Sequence, residues 1–237
     1  MKPAKLVAPA PEPATPKQRQ RKYRVFIVDD HPLFRHGIAD LIQSEPDLEI
    51  CGEAESAPHA LEAIRNQTPD LVIADISLRG TNGIDLVKSI KTEHPKLPVL
   101  VLSMHDESLF AARALRAGAR GYVMKQEALD RVLNAIRAVL GGELFVSPAM
   151  SMRMIEEFVE GHTNASSVVS NLTDRELEIF QLIGKGQSLP QIAQSLHLSV
   201  KTVETHRAHI KEKLHFTSAR ELAHFAVQWV AAPPSEE

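Results

Sequence analysis

The sequence predicts a doubly wound α/β domain, built on a five-stranded parallel sheet, followed by a small all-α domain of four helices. Three observations predict it. Short β-branched runs alternate with segments of helical periodicity from Tyr23 to residue 140. The runs are almost continuously apolar, as strands covered by helices on both faces must be. From Leu172 onward the strand signal stops and only helical periodicity remains.

In order, the strand candidates are RVFIVDD (24–30), LEIC (48–51), DLVIAD (70–75), PVLVLS (98–103) and GYVM (121–124). Helical candidates lie between and after them, near 32–43, 57–67, 83–94, 107–117 and 127–140. Gly141-Gly142 ends the last of these. Residues 141–170 read as an interdomain linker with a helical middle, Met150 to Val159, and then a loop, GHTNASS. The all-α part, 171–237, offers helices at 173–184, 189–196, 200–214 and 218–230. Thr173 is an N-cap candidate, with Glu176 three residues on to complete a capping box. Gly184 and Gly186 mark the stop. Pro190 falls early in the second helix, where its missing N–H does no harm. Ser199 can cap the third helix. Ahead of all this, residues 1–22 hold five prolines and almost no large apolar side chains, the composition of a disordered basic tail.

Charge and cysteine usage narrow the class. The net charge is −3, distributed as +5 over residues 1–22, −4 over 23–140, −3 over 141–170 and −1 over 171–237. The helical part is not broadly basic, so any contact with nucleic acid must come from local charge placement. No apolar run approaches the roughly 20 residues of a membrane span, and the N-terminus lacks an apolar signal core. The single cysteine, Cys51, excludes an intramolecular disulfide, fits a reducing cytosol and reads as a small buried hydrophobe.

Chemistry gathers at strand ends. Asp29 and Asp30 close the first strand, Asp75 the third and Ser103 the fourth, and Lys125 follows the fifth. In a parallel sheet all these ends share one edge, where such folds keep their functional groups. Crowded carboxylates repel one another, and a hard divalent cation such as Mg²⁺ relieves that. Lys125 and the Ser103 hydroxyl suit a phosphoryl group, and a carboxylate can itself accept one. His31, His36, His59, His94 and His105 are scattered without metal-ligand spacing, which favours surface or turn roles.

In these stretches (VDDHP, DLVIADISLRGTNGIDL, VLVLSMHD and GARGYVMK) residues 23–140 resemble a receiver domain of the response-regulator superfamily, with the flavodoxin/CheY-like sheet. The resemblance implies that Asp75 is the phosphoacceptor. It implies Mg²⁺ held by Asp30 and Asp75, by Asp29 through water and by the backbone carbonyl of Ser77. It gives Ser103 and Lys125 contact with the phosphoryl group, and makes Tyr122 the aromatic that turns inward when Ser103 moves. Many receivers carry Pro four residues after the phosphoacceptor. Arg79 stands there in this chain, while Asn82 and Gly83 still supply the following turn.

The helices at 189–196 and from 200 are separated only by Leu198-Ser199, so they must cross steeply and leave the second one protruding. On that second helix Val203, Ile210 and Leu214 face the core. The other face carries Lys201, Glu204, Thr205, Ala208 and Lys211, a polar stripe with small residues that suits a major groove. The segment LTDRELEIFQLIGKGQSLPQIAQSLHLSVKTVETHRAHIKEKL resembles the LuxR/GerE-type output domain of the NarL/FixJ family. Many relatives carry an Asn and an acidic residue before the Ile-Ala pair. Here the stretch is Leu189-Pro190-Gln191. By resemblance Glu204, Thr205 and Ala208 lie against base edges, Lys201, Arg207 and Lys211 near phosphates, and Thr202 and His209 near the backbone. Leu222, Phe225, Ala226 and Trp229 form a stripe on the last helix. Part packs on the domain, and the resemblance implies that an exposed remainder pairs with a second copy.

The expected function is therefore that of a two-component response regulator, cytoplasmic and not an enzyme. A sensor histidine kinase phosphorylates Asp75, and this controls sequence-specific binding to double-stranded DNA by an active homodimer. Phosphorylation either releases the recognition helix or supports dimerisation.

Overall fold

The computed structural model describes residues 21–160 and 168–231. The tail at 1–20 and the GHTNASS loop at 161–167 lie outside the described residues. Strands β1 (Tyr23–Val28), β2 (Leu48–Ala54), β3 (Leu71–Ala74), β6 (Val99–Ser103) and β7 (Gly121–Met124) form one parallel sheet in the order β2-β1-β3-β6-β7. Helices α1 (Pro32–Gln43), α2 (Ala57–Gln67), α3 (Gly83–Glu93), α4 (Glu107–Ala117) and α5 (Leu129–Leu140) alternate with them.

Period-two alternation sorts each strand's side chains between two cores. Val25, Ile27, Leu71, Ile73, Leu100, Leu102 and Val123 pack against Ile38 and Ile42 of α1 and Val132, Ile136 and Val139 of α5. Phe26, Val28, Val72, Ala74, Val99, Val101 and Tyr122 face α2, α3 and α4 through Ile64, Ile84, Val87, Ile90 and Phe110. Each buried Val, Leu, Ile or Phe among them contributes about 1.5–3 kcal/mol, so the strand pattern alone commits both faces to burial. Cys51 sits where β1 and β2 slip by one residue, between Val25↔Ile50 and Phe26↔Gly52. It is half-buried there rather than buried, and its thiol donates to the Val25 carbonyl at 3.4 Å.

A short antiparallel ribbon, β4 (Ser77–Leu78) with β5 (Thr81–Asn82), follows Asp75. Its turn is made by Arg79 and Gly80, the latter at φ +72°. Asn82 serves instead as the N-cap of α3, accepting from the Ile84 N–H at 2.8 Å. Gly83 is required by proximity, because a Cβ there would lie 1.8 Å from the carbonyl oxygen of Asp75.

The segment after α5 is more ordered than a bare connector. Phe145 bridges to Gly121, and its carbonyl accepts from the Tyr122 N–H at 2.8 Å, which covers the exposed edge of β7. Helix α6 (Pro148–Glu160) is longer than the helical middle expected from Met150 to Val159, and a 3-10 turn spans Val168–Asn171.

The helical domain comprises α7 (Asp174–Gly184), α8 (Leu189–Ser195), α9 (Val200–Lys213) and α10 (Ala219–Ala231). Its expected caps form. Thr173 accepts from the Glu176 N–H while Glu176 accepts from the Thr173 N–H, and the Ser199 hydroxyl accepts from the Thr202 N–H at 3.0 Å. Phe180 packs edge-on to Trp229 at 5.3 Å between centroids, and Phe225 lies against Phe180 and Phe216. Val203 and Ile210 of α9 and Leu214, its C-cap residue, are buried in this core.

Candidate functional site

Five strand-end residues converge as their register requires. β1 delivers Asp29 and Asp30, β3 delivers Asp75, and all three side chains are buried. Lys125, one residue past β7, donates through Nζ to Asp75 Oδ2 at 2.7 Å and pairs with Asp29 Oδ2 at 2.6 Å. The aliphatic stem of Lys125 is covered as well, with its ammonium 4.4 Å from the centre of the Phe34 ring. Burial pushes the Asp75 carboxyl up to about 6 even though Lys125 pulls the other way. Burial also raises Asp30.

One oxygen of Asp75 and one of Asp30, both Oδ1, are buried without a hydrogen-bond partner. The His31 Nδ1 lies 2.8 Å from Asp30 Oδ1, but not in hydrogen-bonding alignment. Carboxylate oxygens of Asp29, Asp30 and Asp75 and a nitrogen of His31 fall within 4.8 Å of one another, close enough to hold one metal ion. Unsatisfied buried carboxylate oxygens favour a hard divalent cation, which takes oxygen ligands.

Ser103 is fully buried, and its hydroxyl accepts from the His105 N–H at 3.3 Å. The Tyr122 hydroxyl donates to the His105 carbonyl at 2.8 Å, so the ring already points inward. Ser103 and Tyr122 thus share the backbone of His105.

His105 overturns the surface or turn role expected of it. It is 6% exposed, with its ring tilted against Phe110 at 4.6 Å between centroids, and it is bonded from α7. Its Nε2 lies 2.8 Å from the Ser77 hydroxyl and 3.3 Å from Glu178 Oε1, and its Nδ1 lies 3.1 Å from Gln181 Oε1. His31 also departs from that expectation in part: it precedes α1 as its N-cap residue, but its ring reaches the carboxylates.

The second domain docks on this same edge. Glu178 of α7 is completely buried, accepting from the Ser77 hydroxyl at 2.5 Å, from Asn82 at 3.3 Å and from Arg175 at 2.7 Å. Burial raises the Glu178 carboxyl, but His105, Arg175 and Ser77 outweigh it and leave it below the usual range. His197, at the turn before α9, comes within 3.4 Å of Asp30. Beside these, Arg113 of α4 donates to the carbonyls of Leu172, Val169 and Ser170 and to Asp174. None of Glu178, Gln181, Arg113 or His197 stood out in the sequence.

Helix α9 presents Lys201, Glu204, Thr205, Ala208 and His209 as exposed residues, with Thr202, Arg207 and Lys211 half-buried at its flanks. Docking leaves this face open. On α10, Leu222 and Ala226 are buried, Phe225 and Trp229 are half-buried, and Val227 is 46% exposed. Among the described residues no helix is long and apolar enough to cross a membrane.

A sheet edge with this carboxylate and lysine set, joined to a steep helix pair, defines a class: the chain is a two-component response regulator of transcription, with a receiver domain and a LuxR-type helix-turn-helix domain. Residues 25–137 match the response regulator receiver domain, and residues 170–226 match the bacterial regulatory proteins of the luxR family. Among its relatives is the oxygen regulatory protein NreC of Staphylococcus haemolyticus, 34% identical over 211 residues, covering 86% of this chain and 97% of that protein. A LuxR-family response regulator from Aurantimonas is similar in structure, with TM-score 0.55 and 36% identity over 58% of this chain and 99% of that one. RcsB from Salmonella enterica serovar Typhimurium, solved bound to a promoter with the phosphomimetic BeF3-, gives TM-score 0.57 and 25% identity over 88% of this chain and all of that one.

Proposed function

We propose that phosphoryl transfer to Asp75 controls the reading of double-stranded DNA by α9. The observation that carries this is the buried Asp75 carboxylate, one oxygen held by Lys125 at 2.7 Å and the other without a hydrogen-bond partner. The donor is the phosphohistidine of a sensor kinase. Its P–N bond breaks, a P–O bond forms to Asp75, and the leaving imidazole takes up a proton. Asp30 and Asp75, with Asp29 acting through water and the Ser77 carbonyl, would hold Mg²⁺, which would supply neutralising charge for the oxygens of the incoming phosphoryl group. Lys125 and the Ser103 hydroxyl hold those oxygens, and Tyr122 follows Ser103.

On α9, Glu204, Thr205 and Ala208 read base edges. Lys201, Arg207 and Lys211 neutralise phosphates, with Thr202 and His209 at the backbone, and binding weakens steeply with salt. The protein acts in the cytoplasm as a regulator rather than an enzyme, and pairs as a homodimer on two half-sites about one helical turn apart. The open face of α9 favours control by rearrangement or pairing of domains over unmasking of the recognition helix.

The test combines intact-mass measurement after acetyl phosphate and Mg²⁺ with gel-shift selection of DNA sites. One phosphoryl group per chain and tighter DNA binding are expected for the natural protein, and neither for Asp75→Asn. Full phosphoryl uptake by Asp75→Asn would sink the assignment.

A further inference from the structure

We propose that His31 is a nitrogen ligand of the strand-end cation site, so that this pocket prefers a borderline transition ion of the Co²⁺ or Zn²⁺ kind where carboxylates alone would take Mg²⁺. The proposal rests on the metal-binding part of the function proposed above, and concerns the one donor there that is not an oxygen.

The backbone sets the placement. Asp29, Asp30 and His31 follow one another at the end of β1, and the pairing of Val28 with Ala74 brings Asp75 alongside. The His31 N–H donates to Asp29 Oδ1 at 2.9 Å, which fixes the residue beside the carboxylates. Its side chain makes no capping bond to α1, so the helix it precedes does not hold the ring. Instead Nδ1 lies 2.8 Å from Asp30 Oδ1, 3.3 Å from Asp29 Oδ1 and 3.9 Å from Asp75 Oδ2. An ion with four ligands at about 2.0–2.1 Å spaces them about 3.3 Å apart, and the three separations bracket that value.

Hydrogen bonding does not account for the approach. The ring's hydrogen-bond contact is to Asp29, whereas the closer oxygen, Asp30 Oδ1, is buried without a partner, as is Asp75 Oδ1. Lone pairs gathered in this way need a shared cation. Charge points the same way. Three carboxylates face the ammonium of Lys125, and a divalent ion cancels the two charges left over, whereas a single imidazolium leaves one. His197 also approaches Asp30, at Oδ2 and 3.4 Å, but stands outside the cluster of four. Oxygen ligands suit Mg²⁺, while imidazole favours Co²⁺, Ni²⁺ and Zn²⁺. One nitrogen added to three carboxylates therefore shifts the preference without removing an oxygen.

The test uses the full chain without a phosphodonor. Binding of Co²⁺ is followed by calorimetric titration and by the visible absorption of the bound ion, which responds to nitrogen ligation. Binding of Mg²⁺ is followed by calorimetric titration. His31→Ala and His31→Asn are expected to weaken Co²⁺ by about tenfold or more, the scale at which loss of even an outer-shell partner is felt, and to leave Mg²⁺ within about twofold. Asp75→Asn should remove the same absorption, which places the ion in the pocket. His36→Ala, an exposed histidine on α1, should change neither ion. Unchanged Co²⁺ affinity in both His31 variants overturns the proposal, and so does an equal loss in His36→Ala, which would mean adventitious binding to surface histidines. An equal loss of Co²⁺ and Mg²⁺ in the His31 variants also overturns it, since His31 would then shape the pocket without selecting the ion. Failure of Asp75 to accept a phosphoryl group would leave these readings intact, and their failure would leave uptake in Mg²⁺ intact.

Discussion

Asp75 is destabilising where it stands. Its carboxyl titrates near 6 in the folded chain against 3.8 ordinarily, chiefly through burial. A folded-state value above the unfolded one means that stability is greatest at low pH and declines as pH rises from about 4 to 6. Removing the charge should therefore stabilise the protein. Asp75→Asn is expected to raise the unfolding free energy at pH 7 by about 1–3 kcal/mol, seen as a higher Tm, with Lys125 still paired to Asp29. An unchanged or lower Tm would show that the Lys125–Asp75 pair more than offsets burial. The neighbouring Gly83 has the opposite sensitivity. A Cβ there meets the Asp75 carbonyl at 1.8 Å, and backbone cannot yield as a side chain does. Gly83→Ala should cost about 2 kcal/mol or more by chemical denaturation, and should slow phosphoryl uptake by displacing the acceptor.

At the scale of elements, the sheet, its helices and the strand-end carboxylates were legible because each is written locally: period-two burial, capping residues, and polar groups where apolar runs stop. Two caps of the helical domain, Thr173 with Glu176 on α7 and Ser199 on α9, could be read for the same reason. The β4–β5 ribbon could not, since two-residue strands carry no periodicity. Within the helical domain the capping box does a second job. Lys213 at the end of α9 donates to Glu176 at 2.6 Å, tying the recognition helix to α7. Burial raises the Glu176 carboxyl, but Lys213 and Thr173 prevail and leave it lowered from 4.5. A depressed folded-state value gives stability that is present above about pH 4.5 and is lost as pH falls through the folded value. Thermal unfolding followed at the Trp229 fluorescence should show a steeper loss of Tm between pH 5 and 3 for the natural chain than for Glu176→Gln. Parallel curves would assign the shift to another group.

At the scale of the whole molecule, what the sequence hid is the interface. Glu178 and Ser77 are 101 residues apart, and Glu178 sits in a helix whose local pattern reads as an ordinary polar position. His105, two residues past Ser103, carried a weak signal by position alone. The docking contacts are polar and unequal, which makes their ranking testable. Lys88 also reaches Asp174, at 3.1 Å, but it is about half exposed and shared with Asp85, so solvent screens it. Arg113 is largely covered and donates to three carbonyls as well as to Asp174. Removing it orphans backbone acceptors that pack against the receiver, and hydrogen bonds to a charged group count for about 1.5–3 kcal/mol. Hydrogen exchange of the 168–178 segment should therefore accelerate strongly in Arg113→Ala and by less than about fivefold in Lys88→Ala, the latter matching a contribution of under 1 kcal/mol. Equal acceleration in the two variants would mean that the domains are held by long-range charge attraction rather than by the fitted guanidinium, and raising the salt concentration would then open the natural chain as well.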